Sequence, residues 1–349
     1  MLLLFLQTSE CTLREARRSH IRQQVGNEHE TEWKQYNSGR RIMDSEKIVG
    51  RKMRMKHYGD GRPVIGIFTQ PYNETNDHIM AAYVKFVENA GARAVPIVWR
   101  DPDEDILSLV SKINGIIFPG GGTAFKNEDG SLTEHSRKVE LVLNKVKEFN
   151  DQGVYYPILG ICMGMQQIAQ SEAPYKDTVE LYKFDSNDDA NNVTLWHSVT
   201  HSKLFNVIPN YLINALQSEN ITYNHHHDGI FPSIWNKYPI LRDHYYLLGT
   251  SYDEKGVEYV ALIESKHYPI WGLQFHPEKP LYDWNPDLQI PHSPSALQLS
   301  QFLSDFFIRQ ASYNSNKFDS AQDAFDHTIE QVAASLPMYS PKELYIFNI

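Results

Sequence analysis

The chain has 349 residues, 41% of them hydrophobic and 22% charged, with 19 glycines, 18 prolines and two cysteines. That composition excludes a disordered chain, a collagen-like repeat and a disulfide scaffold, and no apolar run reaches the roughly 18 residues of a membrane-spanning helix. Residues 1–57 hold 12 Lys and Arg against 7 Asp and Glu, a local +5 within a total of −10, so the rest carries −15 and offers no basic face to a nucleic acid.

Residues 1–60 are basic and without hydrophobic period, and read as a disordered extension. Its first six residues, Met1 to Leu6, are apolar but shorter than the centre of a secretory signal. Regular pattern begins near Arg62. Val64 to Thr69 reads as a buried strand, and Ile79, Tyr83, Phe86, Val87 and Ala90 form a helical stripe closed by Gly91. Ala94 to Val98 (strand), Asp103 to Lys112 (helix), Gly115 to Phe118 (strand), Thr133 to Phe149 (helix) and Tyr156 to Ile161 (strand) follow. Such alternation predicts a parallel sheet covered on both faces. Strand-like pieces at Val193 to Trp196, Tyr246 to Thr250, Val257 to Ile263 and Ile270 to Phe275 read as the antiparallel or mixed edge of that sheet. The stripe Ala296, Leu299, Phe302, Leu303 and Phe306 reads as a helix packed back onto it.

Gly160-Ile-Cys162-Met-Gly164 directly follows an apolar strand. Flanking glycines permit a sharp strand-to-helix turn with the cysteine at its apex, a nucleophile elbow with sulfur in place of oxygen. The helix that starts beneath it stabilises a sulfur anion through its N-terminal N–H groups. Phe118-Pro-Gly-Gly-Gly122-Thr123 follows another strand, and the N–H groups of Gly121 or Gly122, with that of Met163, are candidates for an oxyanion hole. His276 ends the run Trp271 to Phe275; Glu278, two residues on, can reach the imidazole and fix its tautomer, so that His276 serves Cys162 as base and acid. Asn224-His-His-His227 could suggest a metal, but only His225 and His227 share a strand face and no third ligand has motif spacing, so no metal is expected.

With these elements placed, the chain resembles the class I glutamine amidotransferase-like hydrolases, and most closely the folate γ-glutamyl hydrolases. The likeness lies in Gly160-Ile-Cys-Met-Gly-Met-Gln166, Gly272 to Trp284, Ala82 to Pro96, Ile113 to Gly121 and the closing Tyr345-Ile-Phe-Asn348. It implies a flavodoxin-like α/β three-layer sandwich, mostly parallel, over residues 61–349. It further implies hydrolysis of folate and antifolate poly-γ-glutamates through a thioester on Cys162, and it implies no cofactor. His226 would match the family's substrate-contacting histidine, and Gln166 stands where the family often carries an acidic residue and glutamine amidotransferases carry Gln, so both are candidate substrate-binding residues. The family is commonly lysosomal, vacuolar or secreted, glycosylated and homodimeric, which fits sequons at Asn73, Asn192 and Asn220. Arg100, Lys126 and Arg242 are candidates for holding the substrate α-carboxylate. A glutaminase component of an amidotransferase and a thiol sensor on the same fold are the alternative readings.

Overall fold

The computed structural model describes residues 62–172, 183–335 and 343–348, so the basic extension lies outside the described residues. In chain order the elements are β1 (Val64–Phe68), β2 (Gln70–Pro71), β3 (Asn76–Met80), α1 (Ala81–Asn89), β4 (Arg93–Ile97), α2 (Asp103–Val110), β5 (Gly115–Phe118) and α3 (Glu134–Asp151). There follow β6 (Ile158–Ile161), α4 (Met163–Glu172), β7 (Ser186–Asn191), β8 (Thr194–Leu195), α5 (Asn210–Ser218), β9 (Thr222–His226), α6 (Pro232–Lys237) and α7 (Pro239–His244). The chain closes with β10 (Tyr245–Tyr252), β11 (Glu258–Ser265), β12 (Ile270–Leu273), α8 (Pro294–Ala311), α9 (Ala321–His327), β13 (Ala334–Ser335) and β14 (Leu344–Asn348).

The main sheet has the order β4-β1-β5-β6-β12-β11-β10-β8. Its first five strands are parallel and the last three pair antiparallel. Strands β1, β5, β6 and β12 are buried at every residue, as strands covered on both faces must be. One helix group joins α8 to α1 and α5; the other joins α2, α3, α4 and α7, which gives the expected three-layer α/β sandwich. The hydroxyls of Thr133 and Ser293 cap α3 and α8 by accepting from Ser136 N and Ala296 N.

Two expectations are corrected. The four strand pieces of the middle, β8, β10, β11 and β12, all join the main sheet, but β12 lies inside it, parallel to β6, and β7 and β9 form a separate antiparallel ribbon. Ile79 lies on β3 and not on the helix, because β3 pairs with β14 in a four-stranded sheet of order β13-β14-β3-β2, with Ile79 opposite Tyr345. Asp77, alternating with Ile79, is also buried, and its carboxylate accepts from Arg100 Nε (3.0 Å), Trp99 Nε1 (2.9 Å) and Thr69 Oγ1 (3.3 Å).

Helix α4 sits directly on β5. A Cβ added to Gly164 would lie 2.0 Å from the Phe118 carbonyl oxygen, so the first turn reaches the strand end only because that residue has no side chain. Gly164→Ala must push α4 off β5, and a loss on the order of 3 kcal/mol is expected in urea unfolding; an unchanged midpoint would show that the contact can relax.

Candidate active site

Strands β6 and β12 are neighbours in parallel register, with Ile161 beside Leu273. Both chains therefore leave the sheet at one edge, where Cys162 N–H donates to Leu273 O (2.7 Å). Cys162 is the residue after β6 and adopts φ +53, the single positive φ outside glycine among the described residues. A non-glycine residue in that region is strained, and such strain concentrates at functional sites. Helix α4 begins at the next residue.

His276 follows β12 by three residues and is buried, its backbone held by Tyr223 O (2.8 Å). Its Nδ1–H donates to Glu278 Oε1 at 2.7 Å, and Glu278 is fully buried. That bond leaves Nε2 buried with no hydrogen-bond partner among the described residues. His276 and Cys162 both abut Gly120: a Cβ added there would lie 2.7 Å from His276 Cε1 and 3.2 Å from Cys162 Cβ. Burial alone would push the imidazole down, but the charges of Glu278 and of the Cys162 sulfur outweigh it and raise His276 to about 9. Burial pushes Glu278 the other way, and the His276 imidazolium, aided by Lys279, holds it below the usual carboxylate range. The arrangement thus sets a buried imidazole, charged through its carboxylate partner, beside the Cys162 sulfur and away from solvent.

The glycine loop lies against this group. Gly120 N–H is taken by Tyr83 Oη (2.8 Å), and Thr123 Oγ1 donates to Gln70 Oε1 (3.0 Å), which fixes the loop at both ends. The N–H groups of Gly121, Gly122 and Met163 donate to no group among the described residues. Tyr83 Oη also stands 3.5 Å from His276 Nδ1, and burial together with the Glu278 charge raises this phenol well above its ordinary value, so it stays protonated. Sequence reasoning read Tyr83 as one more apolar residue of a helical stripe, and no local signal distinguishes it.

Residues 63–278 match the family model described as Peptidase C26. The chain belongs to the peptidase C26 family. γ-Glutamyl hydrolase B of Dictyostelium discoideum is 34% identical over 82% of this chain and 83% of its own. γ-Glutamyl hydrolase 1 of Arabidopsis thaliana is 31% identical over 82% and 83%, and the γ-glutamyl hydrolase of Rattus norvegicus 31% identical over 83% and 91%. The peptidase C26 match ends at Glu278 and so spans all three residues of the buried group.

Other predicted residues of this C26 chain fall as follows. His226 Nδ1–H donates to Asp228 O (2.9 Å), so Nε2 carries the lone pair; it is buried without a partner among the described residues, and burial holds this imidazole down at about 3, hence neutral. Gln166 Nε2 donates to the same Asp228 O (2.8 Å) and to Gln274 Oε1 (3.2 Å). Arg100 is held by Asp77, Glu74 O (3.0 Å) and Asn73 O (3.0 Å), which take one hydrogen of each guanidinium nitrogen. Arg242 precedes β10, whose start pairs beside Ser265, at the sheet edge opposite Cys162. Lys126 lines a cavity of about 160 Å³ with Phe125, Gln167 and Gln170. No helix among the described residues is long and apolar enough to cross a membrane.

Tyr83→Phe removes the acceptor of Gly120 N–H and leaves a half-buried donor unpaired. A loss of about 1–3 kcal/mol in urea unfolding is expected, and wild-type stability would mean that the loop is held without this bond.

Proposed function

We propose that this peptidase C26 protein hydrolyses the γ-glutamyl bonds of folate and antifolate poly-γ-glutamates, with Cys162 as nucleophile, His276 as acid and base, and Glu278 as the group that orients and charges His276. The observation that carries the reading is the buried Glu278–His276 pair set beside Cys162 where two parallel strands end. The relatives named γ-glutamyl hydrolase supply the bond type.

In this reading the sulfur anion attacks the γ-carbonyl carbon and a C–S bond forms. The electron pair moves to oxygen, where N–H groups of Gly121 or Gly122 and of Met163 meet it. The pair returns, the C–N bond breaks, and the departing nitrogen takes the proton of His276 Nε2. Water then adds to the thioester carbonyl and gives a proton to the same Nε2. The C–S bond breaks, releasing the glutamyl carboxylic acid and the sulfur anion, and the acid gives up its proton to solvent. His226 Nε2, neutral and unpartnered, suits an N–H of the glutamyl unit. Gln166 contributes only through its oxygen, since its amide nitrogen is committed. That commitment argues against reading Gln166 as a mark of a glutaminase. The three sequon asparagines are exposed, which supports a glycosylated chain of the secretory, lysosomal or vacuolar route; a homodimer belongs to the same reading.

Incubation with a pteroyl pentaglutamate, followed by chromatography, is expected to show shortened glutamate chains for the wild type. Losses on the order of 10³-fold or more are expected for Cys162→Ala and His276→Ala. Ammonia from free glutamine with no shortening of the pentaglutamate, or full cleavage by Cys162→Ala, would overturn the reading.

A further inference from the structure

Behind the elbow runs a chain of side-chain amides whose N–H groups the hydrolytic mechanism does not use. Gln274, fully buried, donates from Nε2 to Cys162 Sγ at 3.7 Å. Its own Oε1 accepts from Gln166 Nε2 (3.2 Å), and the second hydrogen of that nitrogen goes to Asp228 O (2.8 Å). Asp228 O also accepts from His226 Nδ1 (2.9 Å).

We infer that Gln274, locked in one orientation by Gln166, is a positioning residue that holds the Cys162 sulfur as an anion facing His276. The inference rests on Cys162 being the nucleophile. Hydrogen-bond polarity fixes which way each amide points. A backbone carbonyl only accepts, so Asp228 O forces Gln166 to present its NH2 group. The same NH2 group then demands an oxygen from Gln274, and Gln274 must turn its own NH2 toward the sulfur. Flipping Gln274 would set two NH2 groups against each other at one end and an amide oxygen against a sulfur anion at the other. Both ends therefore select the same rotamer, and a fixed donor favours the anion over the thiol. Because nothing must reorganise when the anion forms, the donor acts as a preorganised dipole.

A purely structural role would require the amide to hold the backbone, yet the backbone has other anchors: Gln274 N–H donates to Ala261 O (2.9 Å) and His276 N–H to Tyr223 O (2.8 Å). Removing the side-chain amide therefore leaves the strand end in place while stripping the sulfur of its neutral donor. Sequence alone places Gln274 inside an apolar strand run and Gln166 on a helix, with nothing to join them.

The test is the rate of Cys162 alkylation by iodoacetamide against pH, with kcat and KM measured alongside. Gln274→Leu, similar in size and without a donor, is expected to move the alkylation midpoint up by about one pH unit, a tenfold loss of anion at a given pH. The accompanying fall in kcat is expected to be about tenfold, with KM within twofold. Gln166→Leu frees Gln274 to turn and is expected to shift the midpoint the same way by less. If Gln274→Leu does not fold, Gln166→Leu and Gln274→Glu, which sets a carboxylate in place of the donor, carry the test. An unmoved midpoint and kcat in the folded variants would overturn the inference. Alkylation needs no substrate, so a wild type that fails to cut the pentaglutamate sinks the functional reading and leaves this measurement intact.

Discussion

The carboxylate of Glu278 is the group on which the rest of the site depends. A fully buried carboxylate without a partner is among the most costly things a protein can hold, and here the partner is the His276 imidazole at 2.7 Å. One bond does three jobs: it satisfies the buried charge, selects the tautomer that bares Nε2, and offsets the burial that would otherwise discharge the ring. The Cys162 sulfur lies near the imidazole, on the far side of Gly120. Close packing explains Gly120, since any side chain there would enter the space where His276 and Cys162 meet.

Two features of the fold bring these groups together. Adjacent parallel strands in matched register end at the same edge, so residues far apart in the sequence emerge side by side at Cys162 and His276. The elbow then holds Cys162 at φ +53, a strained conformation kept by the seating of α4 on β5 through Gly164. The energy stored in the turn is balanced by the packing of a helix whose first nine described positions, Met163 to Ser171, are almost all buried.

The parts of this arrangement that sequence makes legible are those encoded locally. The glycines around Cys162, the histidine at the end of an apolar run and the carboxylate two residues on all depend on short spacings, and the structure brings these residues together. The strand–helix alternation of the parallel half was equally local. Ile79 was misplaced because it satisfies a helical stripe, while its strand state comes from pairing with Tyr345 near the other end of the chain. Tyr83 and Gln274 carry no local mark: each reads as core, and what sets them apart is a single polar atom whose partner, Gly120 N–H or the Cys162 sulfur, is fixed only by tertiary packing. The ribbon of β7 and β9, which carries His226, was hidden for the same reason, since strand pieces of one period can join either sheet.

The claim most open to direct measurement is that His276 is charged at neutral pH because Glu278 faces it. NMR titration of protein labelled at the histidine ring nitrogens, with the His276 signal identified by its loss in His276→Asn, reads that charge without substrate. The account predicts an imidazole that remains protonated until near pH 9 and that loses its proton at markedly lower pH in Glu278→Gln. A His276 signal that is already neutral at pH 7 in the wild type would contradict it.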